Sequence, residues 1–202
     1  LMRDDGKIVN SVTKIYPISF PYTGWSEQNP EDWLRETKKG LIELMTGFPK
    51  GELAGISFGG QMHGLVVLDE NDRIIRPAIL WNDGRSSEET EFLNTSVGRK
   101  VLSERTANIA FAGFTLPKIL WMKKHEPDLF SKIRRIMLPK DYLIYMLSGE
   151  FCTDFSDASG TLLLDVKNRF WSKEMLELCN LNINQVPKLC ESYEQVGTLR
   201  KE

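Results

Sequence analysis

The chain has 202 residues, enough for one large domain with a substantial core. Its 26 basic and 28 acidic side chains leave a net charge of −2, and the basic residues are scattered, which argues against nucleic acid as the main partner. No apolar run approaches the roughly 20 residues of a membrane span and no basic-then-apolar leader is visible, so a cytoplasmic protein with no membrane partner is the simplest expectation. Cys152, Cys179 and Cys190 are widely spaced and form no C-x-x-C pair, which suggests buried thiols rather than a disulfide framework or a zinc site.

In chain order, residues 7–12 follow an Asp-Asp-Gly turn and read as the second strand of a hairpin whose first strand precedes the chain. Asn29, Pro30, Glu31 and Asp32 form a strong helix start: a capping side chain, a proline whose missing N–H costs nothing there, and acids at the positive dipole end. That helix is expected to reach about Thr46, with Trp33, Thr37, Leu41, Leu44, Met45 and Phe48 as its buried stripe. Strands are expected at 53–58, 65–68 and 78–81, with a turn at 70–73. Beyond Trp81 the pattern becomes mainly helical, at 86–94, 100–107, 117–125, 127–133 and 140–147, with Gly149 as a stop. Short apolar runs at 136–138 and 160–165 read as buried strands, and Ser172 caps a helix to about residue 180. Residues 186–202 read as a connection of mixed polarity. The whole is α/β, with strand order not readable.

The densest chemistry lies in residues 55–85. Gly59, Gly60 and Gly64 allow a tight turn or a close backbone approach, and Gln61, Met62 and His63 project from it. Gln61 and His63 donate and accept hydrogen bonds, which suits a polyhydroxylated ligand, while Met62 offers an adaptable apolar wall. A histidine after a strand also serves as a structural residue, so the turn by itself leaves both roles open. Trp81, Asp83, Arg85 and Asp154 are further candidates. For Asp83, capping of the next helix competes with a ligand role; for Asp154, a side-chain turn does. Lys140 and Asp141 read by default as surface charge and cap. There is no G-x-x-x-x-G-K-[ST] loop and no G-x-G-x-x-G fingerprint. His63 and His125 stand too far apart to suggest a metal site, and a serine hydrolase is not expected.

The run QMHG followed by RPAILWNDGR resembles the sugar-binding half of the FGGY carbohydrate kinases, specifically their xylulokinase branch. Gly113, Thr115, Lys118, Ile119, Trp121, Met122, Lys124 and His125 fit that family's G-x-T-x-x-K signature at the required spacing. GWSEQNPEDW, HEPDLF, LPKDYL and TDFSDASGTLLLDV extend the resemblance over nearly the whole chain. It implies a ribonuclease H-like, actin-like fold, with residues 1–202 forming most of the N-terminal, sugar-binding domain of a two-domain kinase. A first strand with its phosphate-contacting turn and an ATP-binding C-terminal domain would then lie outside the chain. So would the catalytic base, an aspartate expected beyond Glu202.

By the same resemblance, the activity is ATP-dependent phosphorylation of a ketopentose, D-xylulose first, to D-xylulose 5-phosphate. Met62 and His63 would position the sugar, with Gln61 in support. Asn82 and Asp83 are also pocket residues in this view. ATP and Mg²⁺ would bind mainly outside these residues, and a homodimer stays open. Glycerol kinases carry an Arg-Glu pair where Met62 and His63 stand, which argues against glycerol. The alternatives are another sugar or polyol, or a non-catalytic carbohydrate-binding module.

Overall fold

The computed structural model describes residues 1–200. At the start, Met2 and Ile8 form an antiparallel bridge across a reversal at Gly6, which has φ 82°. The hairpin anticipated at residues 7–12 therefore has its first arm within the chain: glycine in the left-handed region lets residues 1–3 fold back on Ile8. The arms are tied further by the Arg3 N–H donating to the Lys7 carbonyl, the Val9 N–H donating to the Leu1 carbonyl and the Leu1 amino group donating to the Asn10 carbonyl.

Helix α1 (Pro30–Leu44) starts as its sequence dictates, with the Asn29 side chain accepting from the Glu31 N–H and Pro30 in the first turn. Of its apolar stripe only Trp33 is fully buried, while Thr37, Leu41, Leu44, Met45 and Phe48 are half-buried. Just before it, β1 (Glu27–Gln28) pairs antiparallel with β3 (Ala78–Ile79). Next, β2 (Val66–Leu68) pairs antiparallel with β4 (Arg135–Met137). A bridge between Leu65 and Ile79 links the two pairs.

Side chains alternate across these strands, so Leu65 and Val67 face one core while Val66 and Leu68 face another. The first core contains Leu116, Ile119 and Met122 of α4 (Thr115–His125). The second contains Trp33 together with Tyr142 and Tyr145 of α6 (Pro139–Ser148). Gly149 ends α6 at φ 89°, as its sequence position anticipated. Between β3 and α4 the chain runs through α2 (Ser87–Phe92), a wide π turn and α3 (Arg99–Thr106), which ends with Ala107 in the left-handed region.

Several expectations are corrected. Residues 53–58 form no strand, because among the described residues no segment pairs with them; they line an open groove instead. The helix anticipated at 127–133 is α5 (Pro127–Phe130) alone. The run at 160–165 is interrupted by Leu162 at φ 63°, so only β6 (Leu164–Asp165) is strand, paired with β7 (Phe170–Trp171). Ser172 caps a shorter α8 (Lys173–Leu178). The tail is not merely a connection, since β8 (Lys188–Cys190) pairs in parallel with β5 (Cys152–Asp154). The three cysteines are free and buried. No described helix is long and apolar enough to cross a membrane.

Candidate functional site

The turn carrying Gln61, Met62 and His63 is shaped by its neighbours. A side chain at position 64 would meet Pro139 Cγ at 2.6 Å, so glycine there lets the turn lie against the start of α6. His63 itself sits at φ 66°, in the left-handed region that few non-glycine residues adopt. Its ring stacks on Phe114 with centroids 4.5 Å apart. Nδ1 lies 3.1 Å from the Gly160 carbonyl oxygen. A carbonyl only accepts, so Nδ1 carries the proton and the neutral ring keeps its lone pair on Nε2. Burial lowers the His63 pKa below the ordinary imidazole value, the Gly160 carbonyl opposing this, and Lys118 adds to the lowering. Among the described residues Nε2 has no hydrogen-bond partner.

The segments that carry and support this ring expose several apolar side chains. Met62 and Trp81 are 51% and 55% exposed, and Phe111, in edge contact with Phe114, is also exposed. Gly113 presses on Trp81: a Cβ at position 113 would lie 2.4 Å from the Trp81 carbonyl oxygen. Gln61 points inward instead, donating from its amide to Gln28 Oε1 at 3.0 Å, an atom that also accepts from the Trp33 indole N–H at 3.1 Å.

The remaining candidates are tied into the protein. Asp83 is buried; its carboxylate accepts from the Ser26 N–H, the Arg85 N–H and the Arg85 guanidinium. Arg85, whose side chain is closed to solvent, also pairs with Glu27 at 2.7 Å and lies 3.6 Å from the Trp25 ring centroid and 4.9 Å from that of Trp121. Arg76 joins the network through Glu27 and Glu126. Neither Asp83 nor Ser86 caps α2 with its side chain; Ser86 Oγ donates to the Ala112 carbonyl instead. Asp154 caps α7 (Phe155–Ser159) by accepting from the Asp157 N–H, and it pairs with Lys140 at 2.9 Å. Lys140 is not surface charge: it is buried among Asp141, Asp154 and Asp157 at 2.6, 2.9 and 3.1 Å. Although burial works against its charge, these carboxylates raise its pKa above the ordinary lysine value. Asp154 faces the groove of about 720 Å³ lined by residues 53–58 and 190–199.

Sequence reasoning assigned no site role to Phe111, Phe114 or Lys118, although Lys118 lies in the quoted signature. Lys118 is completely buried, and its Nζ donates to the carbonyls of His63 at 2.9 Å and Gly113 at 2.6 Å. Residues 55–59 do spell Gly-x-Ser-x-Gly, with Ser57 at the centre. No helix follows directly and Ser57 has no histidine partner, so this is not a nucleophile elbow. Among the described residues no group of three or more His, Cys, Asp or Glu side chains is arranged to hold a metal ion.

Residues 1–202 match the N-terminal domain of the FGGY family of carbohydrate kinases. The chain is 45% identical to a xylulose kinase of Lactococcus lactis subsp. lactis (strain IL1403) over 205 residues, covering 100% of this chain and 40% of that protein. Among solved structures, the crystal structure of a xyloylose kinase from Brucella ovis is similar with a TM-score of 0.87 and 42% identity, covering 92% of this chain and 39% of that one. A ligand-bound xylulose kinase from Lactobacillus acidophilus has a TM-score of 0.92 and 25% identity, covering 99% and 41%. The chain thus spans about two fifths of the length of these relatives. The architecture is the ribonuclease H-like, actin-like fold of the FGGY sugar kinases, in its N-terminal domain.

Proposed function

We propose, for a chain that belongs to the FGGY family of carbohydrate kinases, that its full-length protein transfers the γ-phosphoryl group of ATP to the primary hydroxyl of a ketopentose, converting D-xylulose to D-xylulose 5-phosphate. In this reading residues 1–202 supply most of the sugar-side domain. The ATP site and the aspartate that takes the hydroxyl proton belong to the protein beyond them. The described residues do not fit ATP or Mg²⁺ by themselves: the sequence has no phosphate loop and no metal-ligand cluster is formed. The reading sets the enzyme in the cytoplasm, where ATP is available.

The observation that carries the sugar role is the His63 ring. With Nδ1–H committed to Gly160 and a lowered pKa, Nε2 is an acceptor without a donor among the described residues; His63 follows the exposed Met62 in the turn, and its ring stacks on Phe114, whose neighbour Gly113 packs on the Trp81 carbonyl. That combination accepts a sugar hydroxyl proton in a hydrogen bond while apolar walls cover the carbon skeleton. His63 is not assigned as the base. Phosphoryl transfer depends on alignment and charge stabilisation, and the contribution of this domain is to hold the hydroxyl in line.

The test is ADP release by the full-length protein with Mg²⁺, ATP and a panel of D-xylulose, other pentuloses, aldopentoses and glycerol. Highest kcat/KM for D-xylulose is the expected result. Preference for glycerol or an aldose would overturn the substrate, and saturable sugar binding without ADP release would favour a carbohydrate-binding module.

A further inference from the structure

A lysine buried in an apolar core needs a reason, because its ammonium gives up water that neighbouring leucines and methionines never needed. Lys118 lies on α4 between the core residues Leu116, Ile119 and Met122 and has no exposed surface. Its Nζ does not meet a carboxylate. It donates instead to two main-chain carbonyls, those of His63 at 2.9 Å and Gly113 at 2.6 Å. Thr115, one turn earlier on the same helix, donates from Oγ1 to the same His63 carbonyl at 3.2 Å.

Both carbonyls belong to segments that line the sugar site. The His63 peptide is held in the left-handed region, where a non-glycine residue persists only when its surroundings impose it. Gly113 is the residue that presses against the Trp81 carbonyl, and Phe114 next to it carries the ring on which His63 stacks. One ammonium therefore ties the histidine turn to the loop that supports both the histidine ring and Trp81. Burial pushes the Lys118 pKa down to about 7, against the pull of Asp83, so the position is held by a group the core disfavours.

We propose that Lys118 is a positioning residue of the sugar site: by clamping the His63 carbonyl to that of Gly113 it fixes the direction of the His63 ring. This rests on the sugar-kinase reading above for its consequence, but not for its geometry. The clamp acts on orientation alone, so it should govern how well the sugar is held rather than the chemical step.

The test uses the full-length protein and two readouts. Lys118→Met is expected to raise the sugar KM about 10-fold or more, while kcat and the KM for ATP stay within about twofold. In NMR spectra with labelled histidine, the upfield ring-current shift that His63 receives from Phe114 should be lost. Because Lys118→Met risks failing to fold, Thr115→Val is made in parallel. It removes the second donor to the same carbonyl and is expected to move both readouts in the same direction by less. On a His63→Ala background either substitution should add little to the sugar KM. An unchanged His63 ring shift in a folded Lys118→Met protein, or in Thr115→Val where the first does not fold, would overturn the proposal. So would an effect on KM that adds in full to that of His63→Ala. Should the wild-type protein turn over no ketose, the substrate reading fails while the His63 ring shift still decides the clamp.

Discussion

Replacing Asp83 with alanine separates a structural carboxylate from a ligand-binding one. Asp83 is buried and accepts four hydrogen bonds, from Ser26 N–H at 2.5 Å, Arg85 N–H at 2.9 Å, and Arg85 Nε and Nη2 at 2.9 and 2.8 Å. The substitution leaves the buried Arg85 guanidinium against the Trp25 and Trp121 rings with Glu27 as its one remaining anion among the described residues. Removing one member of a buried ion pair costs about 3–5 kcal/mol, because the other charge remains buried. For a domain of this size that corresponds to a fall in melting temperature of about 6–20 °C. The Ser26 N–H also loses its acceptor. Hydrogen exchange followed by mass spectrometry on the full-length protein should show faster exchange at residues 26–28 and 78–79, since β1 pairs with β3 there. Adding Arg85→Met to Asp83→Ala should recover part of the loss, because an apolar side chain of similar length fills that space without an orphaned charge. Unchanged melting and exchange, accompanied by a raised sugar KM, would refute this reasoning and make Asp83 a ligand contact.

His63→Ala should lower kcat/KM for the sugar by about 10- to 150-fold, the loss of one hydrogen bond worth about 1.5–3 kcal/mol, with little change for ATP; wild-type sugar kinetics in a folded variant would sink the contact. The sugar KM should stay flat as the pH falls through 6.5 and rise only below it, because burial holds the folded His63 pKa under that of free imidazole. The same shift makes folding stability fall as pH drops below about 6.5, where the unfolded histidine binds a proton that the folded one resists; a KM that rises already between pH 7.5 and 6.5 would contradict both. The 202-residue chain by itself should show no ADP release with xylulose and should self-associate in sedimentation velocity, since Ile8, Ile15, Ile18, Phe20 and Tyr22 are exposed. Turnover above background, or a monodisperse monomer, would count against it. Sugar acids should be poor substrates of the full-length protein, and a D-gluconate efficiency equal to that of D-xylulose would be contrary evidence.

Local signals were legible in the sequence because their physics is local. Asn29 and Pro30 fix the start of α1 wherever the helix packs, and Gly149 stops α6 through its own backbone. Pairing is not local. Residues 53–58 have the composition of a strand but no ladder partner among the described residues, whereas Lys188–Cys190, three residues of unremarkable pattern, form one with Cys152–Asp154. The site divides in the same way. Glycines beside Met62 and His63 marked the turn, but the atom that Lys118 holds is a carbonyl, which has no sequence signature. Asp83 and Arg85 lie two residues apart and suggested a cap or a ligand contact. Their pairing became visible only once Trp25 and Trp121, from distant parts of the chain, enclosed the guanidinium.

The distribution of charge around the turn bears on which ligand this surface suits. Cations closest to His63 in the chain of contacts are already engaged: Lys118 by two carbonyls, Arg85 by Asp83 and Glu27, and Lys140 by three carboxylates. Lys118 and the Arg85 side chain have no exposed surface at all, so neither can swing toward an anion without leaving a carboxylate or carbonyl unpaired. The exposed side chains here are the thioether of Met62, the aromatic rings of Trp81 and Phe111 and the Asn82 amide, with one uncharged imidazole acceptor and no free cation among the described residues named above. A carboxylate or phosphate brought here would lose water and gain no counter-charge from these residues, a loss of several kcal/mol for a dehydrated anion. A neutral ketose loses only hydroxyl hydration, part of which His63 Nε2 replaces. These residues therefore suit an uncharged polyhydroxylated ligand better than an anionic one.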